Sequence, residues 1–288
     1  MRVRSKRMYK KILLFGIVIF SFLSLNACAC QILGACFDKP AQSNHLWQAF
    51  RLRGKINNDG WGVAFFPDDA VQLFKEPTDA SKSKLAKFLE TYPFMESKIF
   101  IAHVRKASVG SRQFQNTHPF VRYYSGRPYV LVHNGTLRNF RSRLKLGAYK
   151  PIGINDSEYL LCYLLGKISD KKIRKWTAKD FVWLEHLLRE TNDVGSINCI
   201  LSDGKHLFCY HDKNGYNTLF CIHRHNPDKS VIFVDLHQRV NLSKIYDVTD
   251  MFVVSTRPLT NEKWQAVAPG QLIVAEDGKI VFGTCISK

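Results

Sequence analysis

Eleven short apolar runs, rich in β-branched and aromatic residues and separated by turn signals, limit what this chain can fold into more than any other feature. They lie at 62–66, 71–74, 99–103, 129–133, 197–202, 206–210, 219–222, 231–234, 252–255, 272–275 and 280–282. Runs of this length and composition read as strands. Asp203-Gly204 and Asp277-Gly278 each fall between two of them, where such a pair closes a hairpin. The sheet content is therefore expected to be mainly antiparallel. Three helical patterns accompany the strands. Residues 156–168 (DSEYLLCYLLGKI) place Leu160, Leu161, Leu164, Leu165 and Ile168 on one broad face behind an acidic start. Residues 177–191 open with Thr177 and Asp180 at capping-box spacing and repeat Phe181, Leu184, Leu187 and Leu188. Residues 82–90 form the third pattern. Many strands with a few helices, each apolar on one side, point to an α+β fold in which helices cover antiparallel sheets.

The start of the chain is of another kind. Arg2, Arg4, Lys6, Arg7, Lys10 and Lys11 precede an almost wholly apolar stretch at 12–25, with no acid among them. This is the pattern of a secretory leader, its apolar stretch too short for a comfortable membrane span. The local pattern leaves three outcomes open. Ala27-Cys28-Ala29 fits cleavage after Ala29, Leu25-Asn26-Ala27-Cys28 fits a lipoprotein box with lipid on Cys28, and an uncut segment would remain as an anchor. Cleavage after Ala29 would give a signal peptide of residues 1–29 and a domain of residues 30–288, exported to the periplasm or secreted. Membrane contact would then come only through the leader or a lipid.

Removing residues 1–29 from the 288 leaves 259, enough for a sizeable core. Hydrophobic content of 45% and aromatic content of 12% are those of a globular protein and exclude a disordered one. The formal charge of +18 falls to +12 without the six basic residues of the leader. The remaining basic residues are scattered and no nucleic-acid motif accompanies them, so no nucleic-acid partner is expected. Seven cysteines stay in the shortened chain, and an odd number in an exported protein leaves at least one thiol unpaired or in use. No C-x-x-C pair occurs, which argues against a zinc ribbon. Most of the cysteines sit in apolar runs such as INCIL and LFCYH, as buried small hydrophobes do.

Chemistry concentrates in two segments that read as loops after strands: His103-Val104-Arg105-Lys106-Ala107-Ser108 and His133-Asn134-Gly135-Thr136. An arginine can bind a carboxylate in a fork, and an amide with a backbone N–H can share one oxygen. Each also has a bland reading, since Asn-Gly is a common tight-turn pair and an arginine at a strand end is often only solvated. The full ordered set changes the weighing. It comprises Cys30-Gln31-Ile32-Leu33-Gly34, Asn58-Asp59-Gly60-Trp61-Gly62, Ala102 to Ser108, Thr117-His118-Pro119-Phe120, His133-Asn134-Gly135-Thr136-Leu137 and Asn155-Asp156-Ser157-Glu158. A tail with Ser255-Thr256-Arg257-Pro258-Leu259-Thr260, Trp264 and Pro269-Gly270 follows.

In that order the motifs resemble a class II glutamine amidotransferase domain, and more narrowly its stand-alone members of the YafJ, Dug3 and ergothioneine-pathway γ-glutamyl hydrolase type. The resemblance implies the N-terminal nucleophile fold, a four-layer αββα sandwich with two mainly antiparallel sheets. It implies a nucleophile at the first position of the mature chain, here Cys30, and so favours cleavage after Ala29. Cys30, Asn134 and Gly135 take the catalytic roles, the last two as oxyanion donors. Arg105, Ser108 and Asp156 take the substrate-binding roles, with Arg105 on the α-carboxylate and Asp156 on the ammonium. His103 and His118 are expected to be structural. The substrate implied is glutamine or a γ-glutamyl compound, with no cofactor and no metal, and a homodimer is compatible with the pattern. No G-x-x-x-x-G-K phosphate loop occurs.

Overall fold

The computed structural model describes residues 30–106, 111–227, 229–244 and 246–285. Its elements are β1 (Gln31–Gln42), α1 (Asn44–Arg51), β2 (Gly60–Phe65), β3 (Gln72–Glu76), α2 (Lys84–Phe88), β4 (Glu96–Arg105), β5 (Phe120–Tyr124), β6 (Arg127–Leu137) and α3 (Phe140–Arg143). There follow α4 (Asp156–Asp170), α5 (Ala178–Thr191), β7 (Gly195–Ser202), β8 (His206–Tyr210), β9 (Phe220–His225), β10 (Ser230–Phe233) and β11 (Gln238–Asn241). The last are β12 (Asp250–Ser255), β13 (Gln265–Ala266), β14 (Leu272–Glu276) and β15 (Lys279–Phe282).

The strands form a seven-stranded sheet in the order β13-β9-β12-β1-β4-β2-β3 and a six-stranded sheet in the order β15-β14-β8-β7-β6-β5. Within the two sheets, every described strand pairing is antiparallel. Strand side chains alternate between faces, and β1 shows where each face goes. Leu33, Ala35 and Phe37 pack with Leu46, Trp47 and Phe50 of α1 and with Ala86 of α2. Ile32 and Cys36 point the other way, into a layer shared with Val130, Val132, Ile200, Leu207 and Ile273 of the second sheet. The outer face of that sheet, through Leu131, Ile197, Leu201 and Phe208, meets Leu160, Leu161, Leu164 and Leu165 of α4 and Leu184 and Leu188 of α5. The order helix, sheet, sheet, helix is the four-layer αββα sandwich expected. Gly34 faces the second sheet at close range. A Cβ there would stand 3.1 Å from a Leu207 methyl and 3.2 Å from an Ile200 methyl, tight contacts that glycine avoids.

The two Asp-Gly pairs close the hairpins β7–β8 and β14–β15. Both long helices form, and Thr177 and Asp180 make the capping box. Other expectations change. The central strand β1 is absent from the eleven runs because Gly34, Lys39 and Pro40 break its pattern. The 82–90 helix contracts to α2, capped by the Ser83 side chain on the Ala86 N–H at 2.9 Å. Run 231–234 enters neither main sheet and instead builds a two-stranded ribbon with β11. Much of the two supposed loops is strand: His103 to Arg105 end β4 and His133 to Leu137 end β6, which rules out the tight-turn reading of Asn134-Gly135. Cys221 is bonded to Cys285, whereas Cys36, Cys162, Cys199 and Cys209 are buried thiols.

Candidate active site

The inter-sheet layer is apolar along most of its length and turns polar at one end. On β4, Ile99 and Ile101 lie in that layer, so alternation places His103 and Arg105 on the same face. On β6, Val130 and Val132 are followed on this face by Asn134, and on β7 Ile200 shares its face with Asn198. The β1–β4 register pairs Gln31 with Val104, and one step further it sets Cys30 opposite Arg105. The sequence thus delivers these polar residues to one end of the layer between the sheets.

Cys30 is half-buried there. Its thiol donates to the Lys106 carbonyl at 3.1 Å and accepts the Lys106 N–H at 3.2 Å. Burial pushes the thiol up to about 11, against the pull of the Lys106 N–H and the Arg105 charge, while Asp156 pushes it further up. An arginine and an aspartate therefore both lie within electrostatic reach of the sulfur. Arg105 is itself 2% exposed, and burial draws its guanidinium down, offset in part by Cys30, Asp59 and Asp156. A buried cation and a buried anion within electrostatic reach of one thiol match the head group of an amino acid, which carries a carboxylate and an ammonium.

Asp156 begins α4 and its neighbours fix it there. Asn155 caps the helix by accepting the Ser157 N–H at 2.7 Å, and Asp156 Oδ2 accepts the Leu137 N–H at 2.8 Å. Glu158 pairs with Arg122 and accepts the Gly153 N–H at 2.7 Å, tying the approach loop to the helix. Asn134 is buried, and its side-chain N–H₂ has no hydrogen-bond partner among the described residues. A buried amide donor left unpaired costs stability, and at the polar end of the layer this one is free to donate to a ligand oxygen. Gly135 has no room for a side chain, because a Cβ would overlap the Ser196 carbonyl oxygen and the His133 ring.

Cys30, Arg105, Asn134, Gly135 and Asp156 are thus gathered at this end, while Ser108 lies outside the described residues, as does the 1–29 leader with Cys28 and Ala29. His103 and His118 stack at 4.0 Å beneath them. Burial pushes His103 down to about 3 and His118 far below its ordinary value, so both rings are neutral. The Asn58 to Gly62 motif supports the rim. Asp59 accepts Arg112 Nε at 2.7 Å, its N–H donates to the Arg105 carbonyl at 3.0 Å, and Gly62 leaves space for His118 and Pro119.

Sequence reasoning passed over the 211–217 loop. Asp212 accepts the N–H groups of Ile197 and Asn214 at 2.7 and 2.8 Å, and Asn198 donates to the Asn217 carbonyl at 2.7 Å and to that of Tyr216. The loop brings Tyr216 within electrostatic reach of the sulfur: burial, and next Cys30, raise its phenol. The available signal was Asn198, a polar residue inside the apolar INCIL run.

The model of the family "Glutamine amidotransferases class-II" matches residues 29–288. This chain belongs to the class II glutamine amidotransferases. As such it is an enzyme with glutamine amide-hydrolysing activity. The amidotransferase is 32% identical over 249 residues to YafJ of Escherichia coli, a protein whose name assigns it provisionally to the same group; the match covers 84% of this chain and 95% of YafJ. It is 37% identical over 254 residues to an uncharacterized protein of Methanocaldococcus jannaschii, covering 88% of this chain and 71% of that one. Among solved structures it is similar to a Pseudomonas aeruginosa protein described as a predicted glutamine amidotransferase, with TM-score 0.65, 26% identity and coverage of 88% and 100%. Bacillus subtilis glutamine phosphoribosylpyrophosphate amidotransferase shares the fold at TM-score 0.58 and 17% identity, over 87% of this chain and 48% of that one. The amidotransferase thus has the N-terminal nucleophile architecture.

Proposed function

We propose that Cys30 is the first residue of the mature chain and cleaves the side-chain amide of glutamine or a γ-glutamyl compound through a γ-glutamyl thioester. The observation that carries this reading is a thiol within electrostatic reach of buried Arg105 and Asp156, a charge pair suited to the α-carboxylate and α-ammonium of a glutamyl group. A thiol pushed up to about 11 by burial is protonated at neutral pH and needs a base. A free α-amine, with an ordinary pKa of about 7.7–8.0, supplies one on the same residue. An upstream peptide bond would turn that amine into a non-basic amide.

The steps balance simply. The amine takes the thiol proton, and the thiolate attacks the amide carbon. The oxyanion is held by the Asn134 side chain and the Gly135 N–H, a donor of this kind contributing about 3 kcal/mol. The ammonium proton passes to the leaving nitrogen, releasing ammonia or an amine and leaving the thioester. Water, deprotonated by the same amine, then frees glutamate and restores the thiol. Arg105 would take the carboxylate in a fork, Asp156 the ammonium, and Ser108 would assist near the carboxylate.

The compartment belongs to the same proposal. A basic, apolar leader and the Cys221–Cys285 disulfide both suit an exported protein, since disulfides persist in oxidising environments. A screen of glutamine, glutathione and γ-glutamyl dipeptides, read as glutamate release by the mature protein and by Cys30→Ala, tests the reading. Release by the mature protein alone supports it, and equal release by Cys30→Ala overturns it.

A further inference from the structure

We propose that His133 is a positioning residue: it holds the Ser157 hydroxyl proton away from Asp156, so that this carboxylate meets the substrate ammonium without internal competition. The proposal rests on the reading that Asp156 binds that ammonium.

His133 lies on the helix-facing side of β6, in alternation with Leu131 and Leu137 of the outer core. Its Nε2 is 3.1 Å from the Ser196 carbonyl oxygen, and a carbonyl only accepts, so Nε2 carries the hydrogen. Burial lowers the ring below its ordinary value, against the pull of Asp156 and the Ser196 carbonyl, which keeps it neutral at neutral pH. A neutral imidazole protonated at Nε2 presents Nδ1 as an acceptor. Ser157 Oγ stands 2.9 Å from Nδ1 and therefore donates to it.

The same hydroxyl is 3.5 Å from Asp156 Oδ1. It has one hydrogen and two acceptors within reach, and the nearer acceptor takes it. Oδ2 is occupied by the Leu137 N–H, so Oδ1 is the oxygen at stake. Gly135 belongs to this device as well as to the oxyanion site. A Cβ there would run into both the His133 Nε2 and the Ser196 oxygen, and would separate the two. Without an acceptor at Nδ1, the Ser157 hydroxyl turns to Oδ1 and donates to it, and the ammonium must displace that bond.

Steady-state glutamate release from glutamine by the mature protein tests this through KM. His133→Gln can keep a donor to Ser196 but loses the acceptor for Ser157. Its KM is expected to rise about tenfold, the scale of one hydrogen bond to a charged group. His133→Asn, whose amide oxygen can stand near the Nδ1 position, should restore KM. In the His133→Gln background, adding Ser157→Ala should bring KM back to within about twofold of Ser157→Ala alone, because no hydroxyl remains to compete. A merely structural His133 would not be rescued by removing a second buried group. An Asp156→Asn control separates the failures. Unchanged KM in that variant overturns the ammonium reading, whereas a raised KM there with no rescue by Ser157→Ala overturns the role of His133 alone. Should His133→Gln not fold, ¹⁵N spectra of the histidine-labelled mature protein decide: the Nε2–H tautomer at His133 is expected, and an Nδ1–H tautomer or an imidazolium overturns the proposal.

Discussion

The Cys30 sulfur carries opposite demands, since the burial that excludes water from its chemistry also keeps it protonated. Burial pushes it up to about 11, so without a base at hand the thiolate is scarce at neutral pH. Alkylation of Cys30 by iodoacetamide in the unprocessed chain should be slow at pH 7 and rise about tenfold per pH unit towards pH 11. The mature chain should label much faster at pH 8, as peptide mass spectrometry would record. A buried Asn134 amide without a partner predicts a different signature. Asn134→Ala should lower kcat by about 10²–10³ with little change in KM. Arg105→Lys should instead raise KM, because an ammonium cannot reproduce the planar fork. Equal KM for wild type and Arg105→Lys would remove the carboxylate role. At this scale the sequence identified residues better than surroundings. Asn134 and Gly135 stood out as a pair, but His133 did not, because its partners Ser157 and Ser196 lie 24 and 63 positions away.

Strands and helices turn these residues into a site. Asn155 to Glu158 are each used at the start of α4, as cap, carboxylate, hydroxyl and loop tie. That helix stays in place because Leu160, Leu161, Leu164 and Leu165 are buried on the second sheet. Leu164→Ala should cost about 2–5 kcal/mol by transfer and cavity terms, measured by denaturant unfolding. Gly135→Ala should damage both stability and turnover, since its Cβ overlaps the backbone of β7. A loss of about 2 kcal/mol or more is expected from such a buried clash. A variant with unchanged midpoint would mean that β6 and β7 can part there. Hairpins and amphipathic helices were legible because their signals are local: Asp277 and Gly278 adopt φ of 46° and 75°, the left-handed conformations such a turn asks for. The strand β1 was not, because it is buried on both faces and held by β4 and β12 rather than by a local pattern. The extents of β4 and β6 were likewise hidden, since polar residues at their ends look like loop until the register is known.

Across the whole molecule, two sheets and their helical covers place a polar cluster at one end of the inter-sheet layer, and the order of six short motifs was enough to expect that architecture. The disulfide was not legible, because seven cysteines allow many pairings and Cys221 sits in an apolar run. It links positions 64 apart, and Cys285→Ser should lower stability by about 2–4 kcal/mol in denaturant. Reductant should lower the midpoint of the wild type and leave that of Cys285→Ser unchanged. If both respond alike, the pairing does not form in solution. The central claim is narrower, that the chain works only when Cys30 leads it. Its most direct test compares glutamate release from glutamine by two preparations verified by intact mass, one starting at Cys30 and one with Ala29 still joined ahead of it. The account predicts that the extended form is at least about a hundredfold slower, the contribution of a positioned base. Comparable rates from the extended form, its mass unchanged after the assay, would contradict it.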